Sequence, residues 1–228
     1  MKYLKLFEDY SPELDDIIEK FCKDNYIQNY DILEDGSLYV RDDIIIYDPI
    51  EELPVVIKEC EKSFICNDNK LTTLKGSPQK CEEFFIANNK NLTSLEGCGQ
   101  DVTQFICSNC SLTNLIGGPK QVKTNYYCND NELTSLEGIP NRIPGMLYIS
   151  SNNIYTPDHF PQKVGRFNCE GNPIHEIYCL FDDYDQFMES LDHNYFLGGN
   201  EIHELAFEDA LLDFGHRKPI KLINYEYV

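Results

Sequence analysis

The octet Phe64-Ile65-Cys66-Asn67-Asp68-Asn69-Lys70-Leu71 returns, barely altered, as Tyr126-Tyr127-Cys128-Asn129-Asp130-Asn131-Glu132-Leu133. Its first residue recurs at Phe64, Phe85, Phe105, Tyr126, Leu147 and Phe167, at spacings of 21, 20, 21, 21 and 20 residues. Its last residue keeps step at Leu71, Leu92, Leu112, Leu133, Ile154 and Ile174. Three places on come Leu74, Leu95, Leu115, Leu136 and Ile177, with Phe160 expected to fill the gap that Pro157 leaves. Within the octet, Phe64 and Cys66 alternate with Ile65 and Asn67, the period of a strand with one buried face. The third place reads Cys66, Ala87, Cys107, Cys128, Ile149 and Cys169 and is expected to face inward.

Each unit then turns at Gly76, Gly97, Gly117 or Gly138, most follow with Pro78, Pro119, Pro140 or Pro161, and a further apolar column runs Cys81, Val102, Val122, Ile143 and Val164. An amide column reads Asn69, Lys90, Cys110, Asn131, Asn152 and Asn172, in which Lys90 is the departure. A period near 20 residues with these columns marks stacked repeats that each contribute one short strand. So short a coil leaves little room for a helix behind the strand, so extended backs are expected. On these residues the chain resembles the leucine-rich repeat proteins of bacteriophages and some bacteria. The opening MKYLKLFEDY and the stretch Asn172 to Tyr178 with its following helices carry the resemblance to both ends. It implies an α+β fold: a right-handed solenoid with a parallel sheet on the concave face, an extended convex side and helical caps. It implies no particular activity. The coils also resemble short-repeat bacterial effectors, some of which carry a ubiquitin-ligase domain; about 54 residues follow the last coil, too few for that domain.

Four segments are expected: an N-terminal helix and strand cap over 1–36, an irregular first coil over 37–62, repeats over 63–177, and a helical cap with a final strand over 178–228. Ser11-Pro12 reads as an N-cap followed by proline at the first helical position. Leu14, Ile17, Ile18, Phe21 and Cys22 then fall on one helical stripe. Tyr26 to Ile32 and Leu38 to Ile46 read as strands about a turn at Asp35-Gly36. Tyr184, Phe187, Met188, Leu191 and Tyr195 mark a helix, Glu201 to Phe214 a second, and Ile220 to Val228 a strand.

There are 39 acidic and 19 basic side chains in 228 residues, a net charge of −20. That excess disfavours phosphate backbones and anionic membranes as partners. The charge divides as −10 over 1–62, −1 over 63–174 and −9 over 175–228, as polar ends of a stacked array would. No apolar stretch approaches a bilayer span, and Glu8 and Asp9 interrupt any secretory signal, so cytoplasmic residence is expected (the host cytoplasm if phage-encoded). The ten cysteines are then expected to be free thiols.

Chemistry is sparse. No phosphate-binding glycine loop, GxSxG elbow or HExxH helix occurs. Cys107-Ser108-Asn109-Cys110 is formally CxxC, but the register makes both cysteines structural. Cys169, His175 and Cys179, with His193 or His203, have spacings that could nominate a metal site, and His175 is expected on the surface. Asp182, Asp183 and Asp185 lack the glycine and glutamate of a calcium loop. No catalytic residue, metal or cofactor is therefore assigned. The candidate binding surface is one outward position per strand: Ile65, Ile86, Ile106, Tyr127 and Tyr148, ending at Asn168. Asn67, Asn88 and Asn129 form its uncharged rim. A contiguous apolar stripe favours an interaction surface, while strand propensity alone is the competing explanation. The expected function is a monomeric, non-enzymatic module that holds a protein partner; the alternative is an acidic mimic sequestering a nucleic-acid-binding protein.

Overall fold

Apolar residues spaced for a helix, then for strands, decide the order of elements. The structure, a computed structural model, describes residues 12–193, 196–215 and 222–228. The opening stretch, Ser11, Tyr195 and Ile220 lie outside the described residues.

Helix α1 (Pro12–Asp24) turns Ile18, Phe21 and Cys22 inward and leaves Leu14 and Ile17 half-buried, as the stripe predicts. The strand expected from Tyr26 is only β1 (Tyr30–Ile32), because Tyr26 takes a left-handed backbone (φ 56°) and stands in solvent. A turn follows in which Gly36 has φ 74° and Ser37 donates its N–H and hydroxyl to Asp35 Oδ1. The next run, expected as one strand, divides into β2 (Leu38–Val40) and β3 (Ile44–Ile45). β1 and β2 pair antiparallel.

From there the strands run parallel: β4 (Ile57–Cys60), β5 (Ser63–Ile65), β6 (Lys80–Phe85), β7 (Asp101–Ile106), β8 (Gln121–Val122), β9 (Tyr126–Tyr127), β10 (Arg142–Tyr148) and β11 (Lys163–Asn168). Together with β1 to β3 they form an open sheet, not closed into a barrel, and no helix falls between Asp24 and His175. The architecture is mixed α/β with a mostly parallel sheet and few helices.

The register is readable residue by residue. Ile44, Phe64, Phe84, Phe105, Tyr126, Leu147 and Phe167 pair in turn across the sheet. Phe64, Phe84, Phe105 and Tyr126 stack at 5.0, 5.6 and 5.0 Å between ring centroids, and all four are fully buried. The second repeat thus sits one residue earlier than the octet alignment puts it: Phe84, not Phe85, is the core aromatic, and Ile86, not Ala87, joins the row of Cys66, Cys107 and Cys128. The glycine column closes each unit against the one before. At Gly138 (φ 97°) an added Cβ would stand 2.4 Å from the Leu115 carbonyl carbon, so only glycine fits.

After the last repeat come α2 (His175–Tyr178) and α3 (Tyr184–His193). Phe167 meets Tyr178 and Tyr184 at 4.9 Å each, and the Tyr184 hydroxyl donates to the Pro161 carbonyl at 2.6 Å. Phe160 is buried beside Phe167 and Phe187, filling the place Pro157 could not. The run from Glu201 opens as a strand instead of a helix. β12 (Leu197–Gly198) and β13 (Glu201–Ile202) precede α4 (Glu204–Asp213), and β14 (Glu226–Tyr227) completes a three-stranded sheet with them. Among the described residues no helix is long and apolar enough to cross a membrane.

Candidate binding face of the sheet

Side chains alternate along a strand, so each residue beside a core aromatic stands on the opposite face. The pairing gives one continuous outward row: Ile45, Ile65, Phe85, Ile106, Tyr127, Tyr148 and Asn168. Each is partly exposed, since neighbours in the row cover one another. Tyr127 and Tyr148 meet edge to face at 6.2 Å and 64°. Four of the five apolar positions expected from the sequence lie here: Ile65, Ile106, Tyr127 and Tyr148.

Ile86 does not. Its side chain is fully buried, a consequence of the earlier start of the second repeat, and Phe85 takes its place in the row. Ile45 extends the row by one strand. The doubled aromatic Phe84-Phe85 was the signal available for this shift, and the run Asn88-Asn89-Lys90-Asn91 the means of absorbing it.

The rim is corrected in the same way. Asn67 and Asn129 stand beside the row, but their amides already serve neighbouring strands. Asn67 Oδ1 accepts the Ala87 N–H at 2.9 Å, and Asn129 Oδ1 accepts the Ser108 hydroxyl at 2.6 Å. Asn88 belongs instead to a row of left-handed turns, Asp68, Asn88, Asn109, Asp130 and Ser151, with φ between 52° and 62°. Its amide donates to Asp68 and accepts from Asn109.

Behind the face, the amide column fixes the strand spacing. Asn131 Nδ2 donates to the Cys107 carbonyl at 3.0 Å, while its Oδ1 accepts the Leu112 N–H at 3.2 Å. Asn152 and Asn172 repeat the arrangement one and two units on. Asn89, not Lys90, fills this place in the second repeat, donating to Cys66 O at 2.7 Å. Lys90 is exposed and its ammonium binds the Asn109 carbonyl oxygen. In the third repeat the Cys110 thiol donates to Ile86 O at 3.4 Å. A thiol lacks the amide's oxygen, and the Leu92 N–H turns to the Asn89 carbonyl at 3.0 Å instead. Both cysteines of Cys107-Ser108-Asn109-Cys110 are buried.

The other candidate cluster comes together in part. His175 Nδ1 lies 3.6 Å from Cys169 Sγ, and His175 Nε2 lies 3.3 Å from Cys179 Sγ. Burial pushes both thiols upward in pKa, and the Glu170 carboxylate adds to the rise at Cys179, so both are held protonated. A protonated thiol is a poor ligand and a poor nucleophile. His175 is half-buried instead of on the open surface, and His203 precedes α4 without a side-chain bond to that helix. Among the described residues no three His, Cys, Asp or Glu side chains are grouped to hold a metal ion. Separately, a depression of about 380 Å³ beside α1 has an apolar floor of Ile17, Phe21, Ile46, Ile50 and Pro54 and a polar margin of Lys20, Asp24, Asn25 and Asp48. Compared with family models, curated proteins and solved structures, the chain finds no match.

Proposed function

We propose that the chain is a leucine-rich repeat solenoid of 20–21-residue coils with helical caps, and that it is a non-enzymatic binding module. Its concave sheet face engages a protein partner. The outward row from Ile45 to Tyr148 carries the proposal: six consecutive large apolar or aromatic side chains share one open face. A face that served only to meet water would tolerate polar residues there. Recurrence of the asparagine or cysteine staple, the left-handed turn and the glycine column supports the solenoid. Tyr127 and Tyr148 are the anchors, each joining a large ring to a hydroxyl. The resemblance to bacteriophage proteins makes bacterial lysate the first place to seek the partner.

The test is Tyr127→Ser with Tyr148→Ser, scored by thermal melting and by affinity capture with mass spectrometry. The proposal expects capture to fall at least about tenfold while the protein stays folded. Lost stability with undiminished capture would leave the row as strand packing alone.

A further inference from the structure

Two exposed tyrosines meet at the N-terminal edge of the sheet, and one of them sits on a backbone that does not suit it. Helix α1 ends in a double hydrogen bond: the Ile27 N–H reaches the Cys22 carbonyl at 2.8 Å, and the Tyr26 N–H reaches the Lys23 carbonyl at 3.3 Å. Such an ending calls for a left-handed residue at the place of Tyr26, and glycine is its usual occupant. Tyr26 adopts φ 56° there. Among the described residues six other non-glycine residues have positive φ, and all are Asp, Asn, Ser or His, none with so large a side chain. Tyr26 is also 76% exposed, so burial of its ring does not offset the backbone.

The ring instead meets Tyr47, itself 59% exposed, edge to face at 5.7 Å. Asn25 ties the two segments together: its amide donates to the Phe21 carbonyl at 2.9 Å, and its Oδ1 accepts the Tyr47 N–H at 3.4 Å. The ladder of β3 runs on through the Ile46 N–H, which bonds the Ile65 carbonyl, and Ile46 is buried. Alternation then turns Tyr47 outward with Ile45, so the tyrosine pair adjoins the apolar row.

The surroundings are acidic. Asp24 and Asp48 border both the depression beside α1 and a neighbouring one that Tyr26 lines. Asp24 is paired with Lys20, while Asp48 is exposed and has no ion pair among the described residues. Lys23 also borders the second depression, but residues 1–62 together carry −10, so the field favours a cation. An apolar ligand would cover a carboxylate without pairing it, and an anion would be repelled. A guanidinium suits both features, since its plane stacks on a ring while its N–H groups donate to a carboxylate.

We propose that Tyr26, Tyr47 and Asp48 receive an arginine side chain of the partner protein, and that an aliphatic residue beside it enters the depression over Ile17, Phe21 and Ile46. The assignment rests on the proposed use of the sheet face and names the chemistry at its N-terminal end. It also accounts for a tyrosine where the backbone suits glycine: the ring serves a ligand, not the fold.

The experiment is fluorescence anisotropy with a fluorescein-labelled peptide of alternating arginine and leucine, and with its counterpart carrying citrulline in place of arginine. Wild type is compared with Tyr26→Gly and Asp48→Asn. Wild type should bind the arginine peptide saturably, and at least about tenfold more tightly than the citrulline peptide. Y26G keeps every charge and relieves the backbone, so its melting temperature should hold or rise while binding falls at least about fivefold. D48N should melt as wild type does and bind at least about threefold more weakly. Undiminished binding by Y26G would show that net charge alone attracts the peptide, and overturns the assignment. So does no binding by wild type, or equal binding of the citrulline peptide. A lower melt in Y26G with unchanged binding by D48N would make the tyrosines a structural pair and overturn it too. Should partner capture fall with the Tyr127 and Tyr148 variant but not with Y26G or D48N, the face remains the site and only the arginine assignment is lost. The reverse pattern would keep the arginine site and end the reading of the row.

Discussion

The buried asparagine makes the plainest single-residue case. Asn152 donates to the Cys128 and Ile149 carbonyls at 3.1 and 2.9 Å and accepts the Leu133 N–H at 3.0 Å, joining three backbone groups that water cannot reach. Removing the amide strands all three. Asn152→Ala should therefore cost about 3 kcal/mol in denaturant unfolding. Asn152→Cys should cost less, because the Cys110 thiol already performs the donating half of this task at its own site. Equal losses would mean the hydrogen bonds matter less than the volume filled. Tyr126 supplies the opposite case. Its hydroxyl is buried with no hydrogen-bond partner among the described residues, inside a stack otherwise made by phenylalanine. Tyr126→Phe should leave stability unchanged or raise it by about 1 kcal/mol, measured as the denaturation midpoint. A clear loss would show that the hydroxyl is satisfied in solution.

At the scale of elements, the repeat was legible because its columns report on burial, and burial fixes side-chain direction. Period alone could not place the second repeat. Spacings of 20 and 21 are both allowed, and an extra residue between Asn89 and Leu92 let the alignment hold at Leu92 while slipping at Phe84. A one-residue slip reverses every side chain, which is how Ile86 came to be expected on the surface. The ends were less legible for a different reason: two-residue strands such as Glu201–Ile202 carry almost no periodicity and are defined by their partners, here nearby Leu197 and distant Tyr227. The paired tyrosines were visible in sequence; that Phe85 and not Ile86 joins their row was not, since it depends on where the second repeat starts. At the N-terminal edge, α1 lays Ile18, Phe21 and Cys22 over the core, and β1 pairs with β2. Deleting residues 1–36 should uncover both that apolar surface and the β2 edge, giving a protein that aggregates on light scattering. A soluble truncation that melts cooperatively would make this region an appendage.

Across the whole molecule, nine of ten cysteines are buried, and this sets a response to alkali. Burial lifts Cys66 to about 12 and Cys22, Cys60 and Cys110 to about 11, from 9.0. The folded state holds these protons longer than the unfolded chain does. Their contribution is thus complete below pH 9 and is lost as pH rises from there through 11 to 12. The melting temperature should be insensitive to these thiols below pH 9 and fall steeply above it, more so than in a variant with Cys66 and Cys110 replaced by alanine and asparagine. A parallel fall in both proteins would assign alkaline unfolding to other groups. The proposed function depends on what lands on the open face of the sheet. The most direct measurement is site-specific photocrosslinking. Benzoylphenylalanine is placed at position 148 in the row, or at Ile116, which is 53% exposed in a turn outside the strands. The account predicts one discrete protein adduct from position 148, absent from position 116 and suppressed by excess unlabelled wild-type chain. The same adduct from both positions, or from position 116 alone, would contradict a partner seated on the sheet.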